Sequence, residues 1–177
     1  MLIRPALEIA ATQGDQALYQ QLVEKLKSST DQVMRSRYMY ALARFEKPEL
    51  TRQALALGVS GAIRNQDSTG YISGFLRNPY TRNEAWKFVQ GHWSDVEKTF
   101  TTSSGLALVK SAGDFCDADA ASNVSAFFKV HTVPATERTL RQAVERINAC
   151  ADLKKMQGSN LQGWLATHNS GAPGAGN

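Results

Sequence analysis

The feature that most constrains this chain is a series of apolar stripes recurring every three or four residues, separated by helix punctuation. Leu18, Leu22 and Leu26 stand four apart beside Tyr19 and Val23, and Met34, Tyr38, Ala41, Leu42 and Phe45 continue the pattern. Trp86, Val89, Trp93, Val96 and Phe100 alternate spacings of three and four. Val124, Phe127, Phe128 and His131 form another stripe, followed by Leu140, Val144, Ile147 and Ala151, and then by Leu161, Trp164, Leu165 and His168. A period near 3.6 gathers such residues on one helix face, whereas a half-buried strand needs strict alternation, which the chain nowhere sustains.

The breaks carry the residues that start and stop helices. Gly14 is expected to close a short first helix in a left-handed conformation, and Asp15 to cap the next. Thr30 and Asp31 are placed to cap a third, and Asp117 and Asp119 favour a helix start. Pro48, Pro79 and Pro134 are expected in first helical turns, with Asn78 as the cap before Pro79, while Gly58 and Gly61 end the helix that begins near Pro48. The predicted fold is all-α, with about nine or ten helices in a curved stack of antiparallel pairs, a HEAT/armadillo-like α-superhelix. Residues 15–45 would be one pair and 46–77 the next. Residues 1–168 are assigned to this helical domain, and 169–177, rich in Gly and Ala, to a loose tail.

At 177 residues with 42% apolar and 20% charged side chains, the chain has the balance of one globular domain. Its net charge of +4 raises the question of nucleic acid. Lys and Arg are scattered and usually flanked by Asp or Glu, without the basic block that tracks a phosphate backbone, so nucleic acid is not an expected partner. A bilayer crossing needs about 18 consecutive apolar residues, and no run approaches that length; the first residues also lack the apolar stretch of a signal peptide. Cys116 and Cys150 make no CxxC. Two buried free thiols are expected rather than a disulfide, an order that an oxidising compartment would reverse.

Catalytic patterns are missing. Zinc peptidase chemistry needs two histidines one helical turn apart with a glutamate between them, and His92, His131 and His168 are tens of residues apart. There is no GxSxG elbow, and Gly70 and Gly74 lack the lysine of a phosphate loop. The residues alone describe a binding or scaffolding module, with no catalytic residue, metal ligand or cofactor on this chain.

Three stretches carry a resemblance. They are Ser60-Gly61-Ala62-Ile63-Arg64-Asn65-Gln66-Asp67, then Asn78-Pro79 with Arg82 and Ala85-Trp86-Lys87-Phe88-Val89-Gln90-Gly91-His92-Trp93, and then Val124, Ala126-Phe127-Phe128-Lys129 and His131 through Pro134, Glu137-Arg138-Thr139 and Gln142. Arg37-Tyr38, Ala41-Leu42-Ala43 and Pro48-Glu49-Leu50 precede them. In this order they resemble the C-terminal domain of the gluzincin zinc aminopeptidases of the aminopeptidase N and puromycin-sensitive type, from about Gly14 to Trp164. The Gly/Pro tail is not a feature of that family.

The resemblance implies a parent zinc aminopeptidase whose HExxH and GxMEN motifs lie upstream in a separate catalytic domain. It implies that this chain is the last portion of a helical domain that closes over that active site and restricts peptide entry. The implied partners are the upstream catalytic domain and peptide substrates, and a cut edge of the stack would leave apolar surface for a second copy to cover. The alternative function is a free-standing HEAT-like scaffold for protein–protein interaction, and the presence of HExxH and GxMEN upstream in one reading frame separates the two.

Four residues are singled out for peptide contact: Arg64, Gln66 and Asp67 in a turn of the kind that lines a concave face, and Arg138, a guanidinium able to pair with a peptide carboxylate. Set against this, Asp67 can simply cap a helix while Arg64 pairs with a nearby acid. Trp86, Phe88 and Trp93 sit at helical spacing and are expected in the core rather than on a ligand.

Overall fold

A computed structural model describes residues 3–101 and 104–168, and among these every regular element is helical. The order is α1 (Ile3–Thr12), α2 (Gln16–Ser28), α3 (Gln32–Leu42), α4 (Pro48–Leu57), α5 (Asn65–Arg77), α6 (Arg82–Gly91), α7 (Trp93–Lys98), α8 (Ser104–Ala112), α9 (Ala118–Val130) and α10 (Glu137–His168). The all-α expectation holds. The segment 169–177, expected to be a loose tail, lies outside the described residues. No helix of the described residues is long and apolar enough to cross a membrane.

Several starts follow the sequence directly. The Asp15 carboxylate accepts from the Leu18 backbone N–H at 2.9 Å, Asp31 from Val33 at 2.8 Å and Asp117 from Ala120 at 2.7 Å. Each satisfies an amide that the first helical turn leaves without a partner. Pro48 opens α4, where its missing N–H costs nothing.

Other starts differ. Asn78 closes α5 instead of capping α6, and its carbonyl accepts from the Thr81 and Arg82 amides at 3.2 and 2.9 Å. Pro79 therefore sits in a turn and α6 begins at Arg82. Side chains account for the change: the Thr81 hydroxyl donates to the Phe75 carbonyl at 2.8 Å and the Arg82 guanidinium to the Leu76 carbonyl at 2.7 Å. The last carbonyls of α5 are thus occupied by residues that must stay outside it. Pro134 likewise precedes α10, in a turn where Ala135 has φ 58°.

Gly14 does not adopt the left-handed conformation expected of it; the one glycine with positive φ among the described residues is Gly61, at 82°. Gly14 is required for space, because a Cβ there would lie 2.4 Å from the Phe45 ring. The close approach lets Phe45 enter the core and meet Tyr19 edge-on at 5.5 Å.

Helix pairing follows the sequence in part. α2 packs on α3, as the first predicted pair requires. The second pair comes out differently: the main neighbour of α4 is α6, while α5 lies against α6 and α8. α4 and α5 remain tied by the buried Tyr71 hydroxyl, which donates to the Ala54 carbonyl at 2.9 Å. α8 then packs on α10, and α9 on α10. Reaching past the next helix in sequence buries apolar residues on two sides of α5, where Tyr71, Ile72, Phe75 and Leu76 all lie in the core.

The cysteines correct another expectation. Cys116, just before α9, and Cys150, within α10, form a disulfide with their Cα atoms 5.0 Å apart. Spacing along the chain could not reveal this, because the fold brings the two ends of a 34-residue separation together. The crosslink adds a covalent tie where α10 packs on α9.

An aromatic centre joins α6, α7 and α9. Trp86, Phe88 and Trp93 are buried as expected, and Trp86 and Trp93 meet Phe127 at 5.1 and 5.2 Å. The indole of Trp86 donates to the Asn123 side-chain oxygen at 2.6 Å, which removes its one polar liability. The predicted single stripe from Trp86 to Phe100 is split at His92, which ends α6 and starts α7.

Candidate functional site: an arginine-lined recess

The most built surface feature is a pair of adjoining recesses along α3 that share Tyr40. The first runs between the α2–α3 corner and the start of α5, and Arg35, Ser36, Tyr40, Arg64 and Asp67 line it. The second lies beside α1 and α5 and is lined by Arg4, Tyr40, Arg44, Gly70 and Arg77. Tyr40, 39% exposed, therefore stands at the centre of a face carrying five guanidiniums.

Each arginine is held in place. Arg64 pairs with Asp67 at 2.9 Å across the first turn of α5, which fixes both at the rim. Arg35 donates to the Leu26 carbonyl at 2.6 Å and so covers the last turn of α2. Arg77 donates to the Ser73 carbonyl at 3.2 Å. Arg4 stacks over the Tyr40 ring at 4.6 Å and pairs with Glu8 at 2.6 Å, and Arg44 reaches the same carboxylate at 2.9 Å. Burial pushes the Glu8 carboxyl up, but the hydrogen bonds and charges of Arg4 and Arg44 outweigh it and hold its pKa below the ordinary value. The same hydrogen bond raises Arg4.

Five guanidiniums face two carboxylates, Glu8 and Asp67, so the face carries an excess of three positive charges. Fixed guanidiniums in fork geometry suit a carboxylate, and Tyr40 offers a ring and a hydroxyl between them. The arrangement can bind an anion or a peptide end. It holds no nucleophile paired with a base.

The residues singled out in the sequence fare unequally. Arg64 and Asp67 lie together on the recess rim, as a pair rather than as a cap, since α5 starts ahead of Asp67 at Asn65. Gln66 is exposed next to them. Arg138 is exposed in the first turn of α10, which packs on α8 and α9, and it lines neither recess. Sequence reasoning missed Arg4, Arg35, Arg44, Arg77 and Tyr40. Tyr40 and Arg44 stand four apart, but Arg4 and Arg77 join them only through the packing of α1 and the position of α5.

Zinc has no place among these side chains. His92 stacks on Phe88 at 4.3 Å, His131 lies on Phe127 at 4.4 Å and His168 stacks on Trp164 at 4.2 Å. No group of three His, Cys, Asp or Glu able to hold a metal ion occurs among the described residues. A tetrahedral site needs convergent ligands, and these residues do not supply them.

Comparison with known proteins identifies the family of the chain. The ERAP1-like C-terminal domain model matches residues 2–149. Aminopeptidase M1-B of Oryza sativa subsp. japonica is 29% identical over 142 residues, covering 79% of this chain and 16% of the relative. Probable aminopeptidase 1 of Saccharolobus solfataricus is 25% identical over 154 residues, covering 85% and 19%. Aminopeptidase M1 of Arabidopsis thaliana is 26% identical over 144 residues, covering 80% and 16%. The chain thus spans less than a fifth of the length of these relatives. It belongs to the ERAP1-like C-terminal domain family, the helical C-terminal domain of aminopeptidases of the M1 type.

Proposed function

We propose that this chain is a substrate-enclosing portion of a zinc aminopeptidase, with residues up to about 168 forming part of the helical domain. Family membership over residues 2–149 carries the reading, because the relatives it joins are named as aminopeptidases and are several times longer. In this account the zinc, the hydrolytic residues and the N-terminal recognition of the peptide belong to an upstream domain. The helices form a curved HEAT-like wall that narrows the path to it. The contribution of this chain is steric and electrostatic.

The arginine-lined recess supports the peptide-contacting part. Guanidiniums held by carbonyls and carboxylates need little reordering to receive an anion, so less affinity is lost to immobilisation. Arg64 and Asp67 would sit at the mouth with Gln66 beside them, and Arg35, Arg44 and Tyr40 would meet the C-terminal carboxylate of a peptide. Arg138, on the other side of α5 and α8 in the packing order, would act only on a longer peptide.

The test compares peptides ending in a free carboxylate with the same peptides amidated, using NMR shifts of the purified chain. Free-acid peptides are expected to shift Tyr40, Arg35 and Arg64 signals and to bind about tenfold tighter than amides, the scale of one charge-assisted contact. Arg35→Ala and Arg64→Ala should each narrow that ratio. Equal binding of acid and amide, or shifts confined elsewhere, would remove the recess from the account.

A further inference from the structure

The peptide reading leaves positive charge unmatched on the arginine face. In the first recess Arg35 and Arg64 stand against Asp67, an excess of one that the terminal carboxylate of a peptide offsets. In the second, Arg4, Arg44 and Arg77 stand against Glu8 alone, an excess of two. Arg4 and Arg44 share that carboxylate, while Arg77 donates to the Ser73 carbonyl of its own helix and joins no ion pair among the described residues.

Size separates the two recesses as well. The first encloses about 60 Å³, room for little more than a carboxylate. The second encloses about 410 Å³, within the range of pockets that take a whole organic group. Its floor includes Gly70 and Gly74, one turn apart on α5, and a Cβ on Gly70 would meet nothing within 4 Å. Its guanidiniums are positioned in advance, since Arg4 rests on the Tyr40 ring at 4.6 Å and Glu8 holds both Arg4 and Arg44.

The recesses meet at Tyr40. On α3, Ser36 lines the first about one turn before Tyr40, and Ala43 lines the second about one turn after it. A carboxylate held beside Tyr40 by Arg35 is therefore one turn, about 5 Å, from the second recess. The side chain of the last residue of a peptide starts on the carbon next to that carboxylate and reaches over such a distance. A lysine or arginine side chain there would add to the surplus charge, and an apolar one would cover the guanidiniums without pairing them. A carboxylate accepts them in a fork.

We propose that the recess between α1, α3 and α5 receives the side chain of the last residue of the peptide and selects Asp or Glu there. This rests on the peptide reading above and names its substrate class, peptides with two carboxylates at the C-terminal end.

Calorimetric titration of the full chain tests it, with one peptide body ending in Asp, Asn or Lys, each as free acid and as amide. The free acid ending in Asp is expected to bind about tenfold tighter than the one ending in Asn, and the one ending in Lys more weakly than either. Arg77→Ala, and Gly70→Leu, which fills the recess without removing a charge, should each bring the Asp-to-Asn ratio near one. In both variants the Asn-ending peptide should still prefer acid to amide. Arg35→Ala should narrow the acid-to-amide ratio and keep the preference for Asp. Far-UV circular dichroism checks that the variants remain folded. Equal binding of the Asp- and Asn-ending free acids, beside an intact acid-to-amide ratio, overturns this inference and leaves the peptide reading standing. Loss of both discriminations overturns both. A preference for Asp that Arg77→Ala and Gly70→Leu leave unmoved puts the acidic side chain elsewhere and also overturns the inference.

Discussion

Glu8 shows how a single side chain organises one edge of the molecule. It receives Arg4 from its own helix and Arg44 from beyond α3, and their pull lowers its pKa despite burial. A group whose folded pKa lies below its ordinary 4.5 stabilises the fold above that value and loses the contribution as pH falls through the folded pKa. Glu8→Gln should therefore cost about 1 kcal/mol at pH 7, and the gap between variant and wild type should narrow as pH falls below 4.5 and close once it has passed the lowered folded pKa, as read from urea midpoints. Two further substitutions test packing at the same scale. A Cβ on Gly113 would sit 2.8 Å from the Ala143 Cα, a backbone atom that cannot swing aside, so Gly113→Ala should destabilise by about 2 kcal/mol. The Ser73 hydroxyl is buried without a hydrogen-bond partner, so Ser73→Ala should leave stability unchanged or raise it by up to about 1 kcal/mol.

Among the elements, what the sequence made legible was local. The caps at Asp15, Asp31 and Asp117 act within three residues, and Pro48 within one, so adjacent letters suffice to place them. Asn78 misled because the residues that end α5 do so through Thr81 and Arg82, whose bonds reach back six residues to carbonyls that a cap rule does not consider. The stripes ending at Ala151 and starting at Leu161 looked like two helices, yet no proline separates them and they form the single helix α10. The disulfide was illegible for a deeper reason, since only the packing of α9 and α10 sets the Cys116–Cys150 distance. Its crosslink closes a loop of 34 residues, which predicts that reduction, or the Cys116→Ser/Cys150→Ser double variant, lowers unfolding free energy by about 4 kcal/mol in the chain-entropy model. Calorimetry in the presence and absence of reductant checks this; an unchanged unfolding temperature would mean that the helices alone hold α10 in place.

For the molecule as a whole, fold class was legible because apolar residues recur at helical spacing, and the family because the stretches Ser60–Asp67 and Ala85–Trp93, which carry the resemblance, lie within the residues 2–149 that the family model matches. The recess was only half legible. Arg64 and Asp67 belong to one such stretch, but Arg4, Arg44 and Arg77 come from three separate segments and converge through tertiary packing. As a member of a C-terminal domain family of aminopeptidases, the chain is expected to show no aminopeptidase turnover alone, with or without added zinc, in an assay of highly purified material. The central claim, that these helices govern which peptides reach a catalytic centre, is tested most directly by reconstitution. The chain would be mixed with the separately expressed upstream portion of the same aminopeptidase, and turnover measured over a ladder of peptide lengths. The account predicts a complex whose length preference differs from that of the upstream portion alone, and a shift of that preference in Arg35→Ala and Arg64→Ala variants. A well-folded chain that fails to associate, or one that binds and leaves the preference untouched, would contradict it.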